Sequence, residues 1–216
     1  DLGYEKLGFT AGGGGTNPAC NRFGYGFVQG ANAAAAELGK TVTIKYSYKF
    51  GDNFSANSEL QAQIASWYAA GTEVVFACGG SMFDSVKSAA AEYKDRNVKI
   101  VGVDTDQSGE SEQVITSAVK ELANSVDIVL TQFYGGEWDS KLAGNTQNLG
   151  AAENATGLPT ATWRLTNFTV EQYKEVFEKI KNGTIVPHSM DAGRAVEALS
   201  LTYGMSTITD LVSARS

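Results

Sequence analysis

Short runs of β-branched and apolar residues alternate with longer stretches of helical periodicity along most of this chain, and that alternation leaves few architectures open. The run at 6–11 is followed by a helical pattern over 21–38, 42–48 by 58–70, and 73–78 by 82–93. The run at 99–104 leads through a polar loop to 114–119, which precedes a helical pattern over 124–133. Strands separated by helices of this length form βαβ units with right-handed crossovers, hence a mainly parallel sheet with helices on both faces. Val42-Thr43-Ile44, Val74-Val75-Phe76 and Ile100-Val101 are nearly continuous apolar or β-branched runs, as expected of strands buried on both sides. A doubly wound α/β fold is expected, and 216 residues are enough for one large or two small domains with a real core.

Open sheets of this kind bind ligands beyond the carboxyl ends of their strands, where loops border a crevice. Two opposite charges stand at such exits: Ile100-Val101-Gly102-Val103 ends in Asp104, and Val114-Ile115-Thr116-Ser117-Ala118-Val119 runs into Lys120. Each alone has an ordinary explanation, a cap for Asp104 and a solvated helix-start lysine for Lys120. Together they point to a small-molecule site. Glycine turns follow two further strands, Gly12-Gly13-Gly14-Gly15 after the first and Gly79-Gly80 after Val74-Val75-Phe76, and leave room for a ligand's bulk. A dinucleotide loop would need its third glycine where Asn17 stands, and no Gly-Lys-Ser/Thr triplet follows, so flexible backbone is the favoured reading of the first turn.

Catalytic groups are sparse. His188 is the sole histidine, and no triad is visible. Asp104 and Asp106 could suggest a carboxylate pair or a Mg²⁺ site, but no paired acid–base role is expected of them. Cys20 and Cys78 are too few for a disulfide scaffold, lack C-x-x-C spacing, and are expected as free thiols. Cys20 follows Pro18 at a helix start, where the macrodipole favours a thiolate, but no histidine lies near it in sequence to act as a base. With 17 basic against 24 acidic side chains, a net charge of −7 disfavours nucleic acid as a partner. No apolar run approaches the ~20 residues of a membrane span. There is neither an initiator methionine nor a charged, apolar leader, so Asp1 is not expected to be the natural start.

Several motifs, in order and spacing, resemble the basic membrane protein family of bacterial solute-binding lipoproteins, which includes purine nucleoside receptors of ABC transporters. They are Lys6-Leu7-Gly8-Phe9 with the following glycines, Arg22-Phe23-Gly24-Tyr25-Gly26-Phe27-Val28-Gln29-Gly30, and Gly71-Thr72-Glu73-Val74-Val75-Phe76-Ala77-Cys78-Gly79-Gly80. Val101-Gly102-Val103-Asp104-Thr105-Asp106-Gln107-Ser108 and Ile115-Thr116-Ser117-Ala118-Val119-Lys120 continue the series. Phe168-Thr169-Val170-Glu171-Gln172-Tyr173 and Ile180-Lys181-Asn182-Gly183-Thr184-Ile185 complete it, and about residues 1–187 are covered.

The resemblance implies the type I periplasmic-binding-protein fold, two lobes clamping a ligand, with this chain looking like mostly the second lobe. Residues 1–115 and 140–189 would form that lobe, 116–139 would cross to the missing first lobe, and 190–216 would be a tail of unknown role. Left without the first lobe, Val126, Ile128, Val129, Leu130 and Phe133 would be exposed. By the same resemblance Asp104 accepts hydrogen bonds from vicinal ribose hydroxyls, Lys120 serves the same sugar, and Phe76 with Gly79 and Gly80 lines the opposite wall. Phe50 and Phe54 are weaker candidates at the next strand exit.

The function implied is a non-catalytic receptor without cofactor, binding a nucleoside, purine favoured, and delivering it to an ABC permease in the membrane. It would be extracytoplasmic and lipid-anchored through a leader absent from this chain. A Rossmann-like enzyme acting on a sugar or nucleotide, using residues 12–15 for phosphate, is the alternative. An effector-sensing regulator core is a third, disfavoured by the acidic charge and the lack of a helix-turn-helix arm. Ala195, Leu199 and Tyr203 recur at four-residue spacing and predict a helix in the tail.

Overall fold

In a computed structural model that describes residues 3–188 and the backbone of 206–212, seven strands form one sheet in the order β6-β5-β4-β3-β1-β2-β7. The strands are β1 (Lys6–Ala11), β2 (Val42–Ser47), β3 (Val74–Cys78), β4 (Lys99–Asp104), β5 (Val114–Lys120), β6 (Thr156–Gly157) and β7 (Ser206–Val212). Every pairing is parallel except that of the two-residue β6, which runs antiparallel to β5. The chain builds outward from β1 first to β2, then returns to the other side of β1 with β3, β4 and β5. The reversal falls between β1 and β3, the place at which open α/β sheets bind their ligands.

The period-two alternation of the strands sorts the core into two layers. On β3, Val75 and Ala77 point toward α2 (Ser58–Ala69) and α3 (Met82–Ala91), joining Leu60, Ile64, Trp67, Val86, Ile100 and Val114. Phe76 and Cys78 point the other way, toward α1 (Pro18–Leu38), joining Phe9, Tyr25, Val28, Ile44 and Tyr46. Helix α1 begins where Pro18 occupies the first turn and the Asn17 carboxamide accepts from the N–H groups of Ala19 and Cys20, and it ends at Gly39 with φ of 63°. Gly24 lets this helix lie close on the sheet, because a Cβ there would run into the Tyr46 hydroxyl.

Beyond β5 the chain forms α4 (Leu122–Tyr134), returns through 145–155 to β6, and ends its described helices with α5 (Val170–Lys181), opened by a Thr169–Gln172 capping box. The segment expected to cross to another lobe starts inside this sheet: Thr116, Ser117, Ala118 and Val119 pair with residues 101–104, and the chain leaves the sheet only after Lys120. The helix expected around Ala195, Leu199 and Tyr203 lies outside the described residues. The end of the tail adds β7 alongside β2.

Candidate functional site

Asp104 closes β4 and Lys120 closes the neighbouring β5, so sheet register alone brings both side chains to the same end of the molecule. Their charges meet: Lys120 Nζ lies 2.7 Å from Asp104 Oδ1, with side chains 37% and 41% exposed. No hydrogen bond from other described residues reaches Oδ1, which is itself covered, so the exposure of the carboxyl belongs to the rest of the group. A half-exposed ion pair contributes little to stability, which leaves both groups available to a ligand.

The backbone under Asp104 is strained. Its φ is 67°, and the Thr105 N–H donates to the Val103 carbonyl at 2.8 Å, closing a γ-turn in its uncommon positive-φ form. Polar groups beneath hold that turn in place. Gln107 Oε1 accepts from Val103 N at 2.9 Å, and Gln107 N donates to the Oγ of buried Ser117 at 3.0 Å. Lys120 is fixed from its other side: the Thr156 hydroxyl donates to the Val119 carbonyl at 2.9 Å, and Glu121 N donates to the Ala155 carbonyl at 3.0 Å. Asp106 lies beyond the strand end and the positive-φ turn at Asp104, and it accepts from Ser108 N and Thr162 Oγ1.

Phe23, half-buried on α1, lies with its ring centroid 5.3 Å from Lys120 Nζ. Phe76 sits one layer deeper. At 3% exposure it is enclosed by Phe9, Phe27 and Phe23 at centroid distances of 5.3, 5.6 and 6.1 Å, so the position expected to line the crevice wall is core in this structure. The space above the Gly79-Gly80 turn is also filled. A Cβ on Gly79 would meet the Phe54 ring at 3.0 Å and one on Gly80 the Phe54 carbonyl at 2.9 Å, while Gly12 packs against the same ring. These glycines admit Phe54, itself held at φ of 61°. Phe50 packs toward the α2–α3 layer instead.

The first glycine turn is not a phosphate cradle in this geometry. Gly12 N donates to Cys78 O and Gly13 N to Gly51 O, and Asn17 already occupies two N–H groups at the start of α1. Among the described residues no group of His, Cys, Asp and Glu is placed to hold a metal ion, and no helix is long and apolar enough to cross a membrane. Phe23, Gln107 and Ser117 carry no individual signal in the sequence, though all three fall within the quoted motifs.

An acid–base pair and an aromatic ring at the carboxyl end of a parallel sheet have the form of a small-molecule site. Residues 3–189 match the family Bmp, described as ABC transporter substrate-binding protein PnrA-like, and the chain belongs to that family. The family is one of extracytoplasmic substrate-binding proteins. Among solved structures, the chain is similar to an ABC transporter solute-binding protein from Aeropyrum pernix K1, with TM-score 0.58, 21% identity, and 92% of this chain and 56% of that one covered. It is likewise similar to one from Conexibacter woesei DSM 14684, with TM-score 0.61, 17% identity, and 87% and 58% covered. The chain thus spans a little over half the length of these proteins, and at such identities the likeness establishes the fold. No curated protein sequence matches it.

Proposed function

We propose that this chain contributes one lobe of an ABC-importer receptor that binds a nucleoside, purine favoured, between two lobes and does no chemistry on it. The observation that carries this reading is the Asp104–Lys120 pair at adjacent strand ends. A carboxylate accepts from two vicinal hydroxyls, and an ammonium donates to a sugar oxygen while neutralising the acid, so the pair suits a ribose better than a phosphate or an apolar ligand. Phe23 supplies the aromatic surface beside the lysine that Phe76 was expected to supply, and the turn at Gly79 and Gly80 borders the crevice through Phe54. Closure of a second lobe would desolvate the pair and couple binding to a conformational change that a membrane permease can read.

In this reading, residues 1–115 and 140–189 form the lobe, and 116–139 is the part directed to its partner lobe, with the sheet portion of β5 shared at the boundary. The protein would act outside the cytoplasm, lipid-anchored to the membrane. Calorimetric titration of the full-length protein with inosine, adenosine and ribose 5-phosphate tests the reading. Saturable binding of a nucleoside is expected. Turnover of any of these compounds, or preference for the phosphate, would favour an enzyme instead.

A further inference from the structure

Cys20 and Cys78 are the only cysteines of the chain, and the fold brings them together beneath the crevice across 58 positions of sequence. Cys78 closes β3, where its carbonyl accepts the N–H of Gly12 at 3.0 Å and the thiol of Cys20 at 3.7 Å. Cys20 stands in the first turn of α1, with its own N–H taken by Asn17. Both are buried, at 7% and 1% exposure, and the ligand site has no use for either thiol. The Cys20 thiol thus lies against the backbone of Cys78. The neighbouring Cys78 side chain holds the Cys20 thiol down to about 7 against the opposing effect of burial, and the Lys120 ammonium assists. The nearby Cys20 side chain, with burial, pushes Cys78 well up. One thiol is thus prepared to attack and the other to stay protonated until a partner sulfur is presented.

We propose that Cys20 and Cys78 form a redox pair that closes to a disulfide joining α1 to β3 under the ligand crevice. With a low-molecular-weight disulfide as oxidant, the Cys20 thiolate attacks one sulfur of the oxidant and expels the other as a thiolate, leaving a mixed disulfide on Cys20. Cys78 then loses its proton, attacks the Cys20 sulfur and expels the second thiolate. Two protein thiols are oxidised by two electrons, the oxidant is reduced to two thiols, and those thiols take up the two protons. Compartments outside the cytoplasm, where this family works, favour the oxidised side of that balance.

The test is to incubate the full chain with hydroxyethyl disulfide at neutral pH, quench with acid, alkylate with N-ethylmaleimide in denaturant and weigh the intact protein. The expected product is lighter than the dithiol form by two hydrogen atoms, takes up no maleimide, and yields a peptide linking Cys20 to Cys78. Dithiothreitol should restore two alkylatable thiols. In Cys78→Ser the reaction should stop at a single mercaptoethanol adduct on Cys20. Two alkylated cysteines in the treated wild type, or a wild-type adduct on Cys20 as persistent as that of Cys78→Ser, would overturn the proposal. None of these readouts depends on ligand binding, so they stand or fall apart from the nucleoside assignment.

Discussion

Asp104 concentrates the functional argument in one residue, because it combines a strained φ of 67° with a carboxyl already facing an ammonium. Strain at a non-glycine residue persists only where its surroundings impose it, and here Gln107 and Ser117 do so. Asp104→Ala should weaken nucleoside binding by about 2–5 kcal/mol in the two-lobed protein, since it leaves Lys120 uncompensated in a closed cleft. Unchanged affinity by calorimetry would remove the site assignment. Gly24→Ala makes the opposite kind of prediction. Its methyl would run into the Tyr46 hydroxyl, which is fully buried and bonded to that of Tyr48, so a loss of about 1–3 kcal/mol in stability is expected from urea unfolding. Asp104 and Lys120 were legible in the sequence because strand exits are predictable from periodicity. The burial of Phe76 was legible too, in the continuous apolar run Val74-Val75-Phe76, and only the family resemblance placed that ring at the wall.

At the scale of elements, the loop that precedes α5 is tied to the β4–β5 connection by polar contacts rather than by packing. Arg164 donates to the carbonyls of Ser108, Ser111 and Val114 at 2.8–2.9 Å, and Thr162 donates to Asp106 at 2.6 Å. Burial acts to raise the Asp106 carboxyl, but it is outweighed by the Thr162 hydroxyl, the hydrogen bonds from Ser108 and the Arg164 charge, which hold it below its ordinary value of 3.8. A carboxyl depressed on folding stabilises fully above its unfolded value and loses that contribution as pH falls through the folded one. Thermal melts should therefore show the wild type losing stability more steeply than Asp106→Asn between about pH 4 and pH 2. Parallel curves would show that this contact does not hold the loop. The pairing of Arg164 with three carbonyls some fifty residues away has no periodic signature, and only the folded connection between β4 and β5 creates it. Helix starts are another matter: Asn17-Pro18 and Thr169 with Gln172 are local start signals, and both open helices in the structure.

For the molecule as a whole, α4 is amphipathic in the inverted sense. Its polar side faces its own chain: Asn124 donates to the carbonyls of Glu153 and Asn154, and Gln132 meets Gln147 at 2.7 Å. Its apolar side faces outward, with Leu122 60%, Val126 57%, Leu130 47% and Phe133 47% exposed and Trp138 following at 51%. A helix that formed for its own lobe would bury that stripe, so the hydrophobic effect demands a cover from elsewhere. In the two-lobed receptor proposed above, the partner lobe provides it. The 216-residue chain alone has to satisfy the same surface by self-association, and multi-angle light scattering should show its mass rising with concentration. Val126→Lys, Leu130→Lys and Phe133→Lys together should return it to a monomer while leaving Tm nearly unchanged, because none of the three contributes to either core layer. A wild-type chain that stays monomeric with α4 protected from hydrogen exchange would mean that the stripe needs no partner, and the division of the protein into lobes across 116–139 would have to be redrawn.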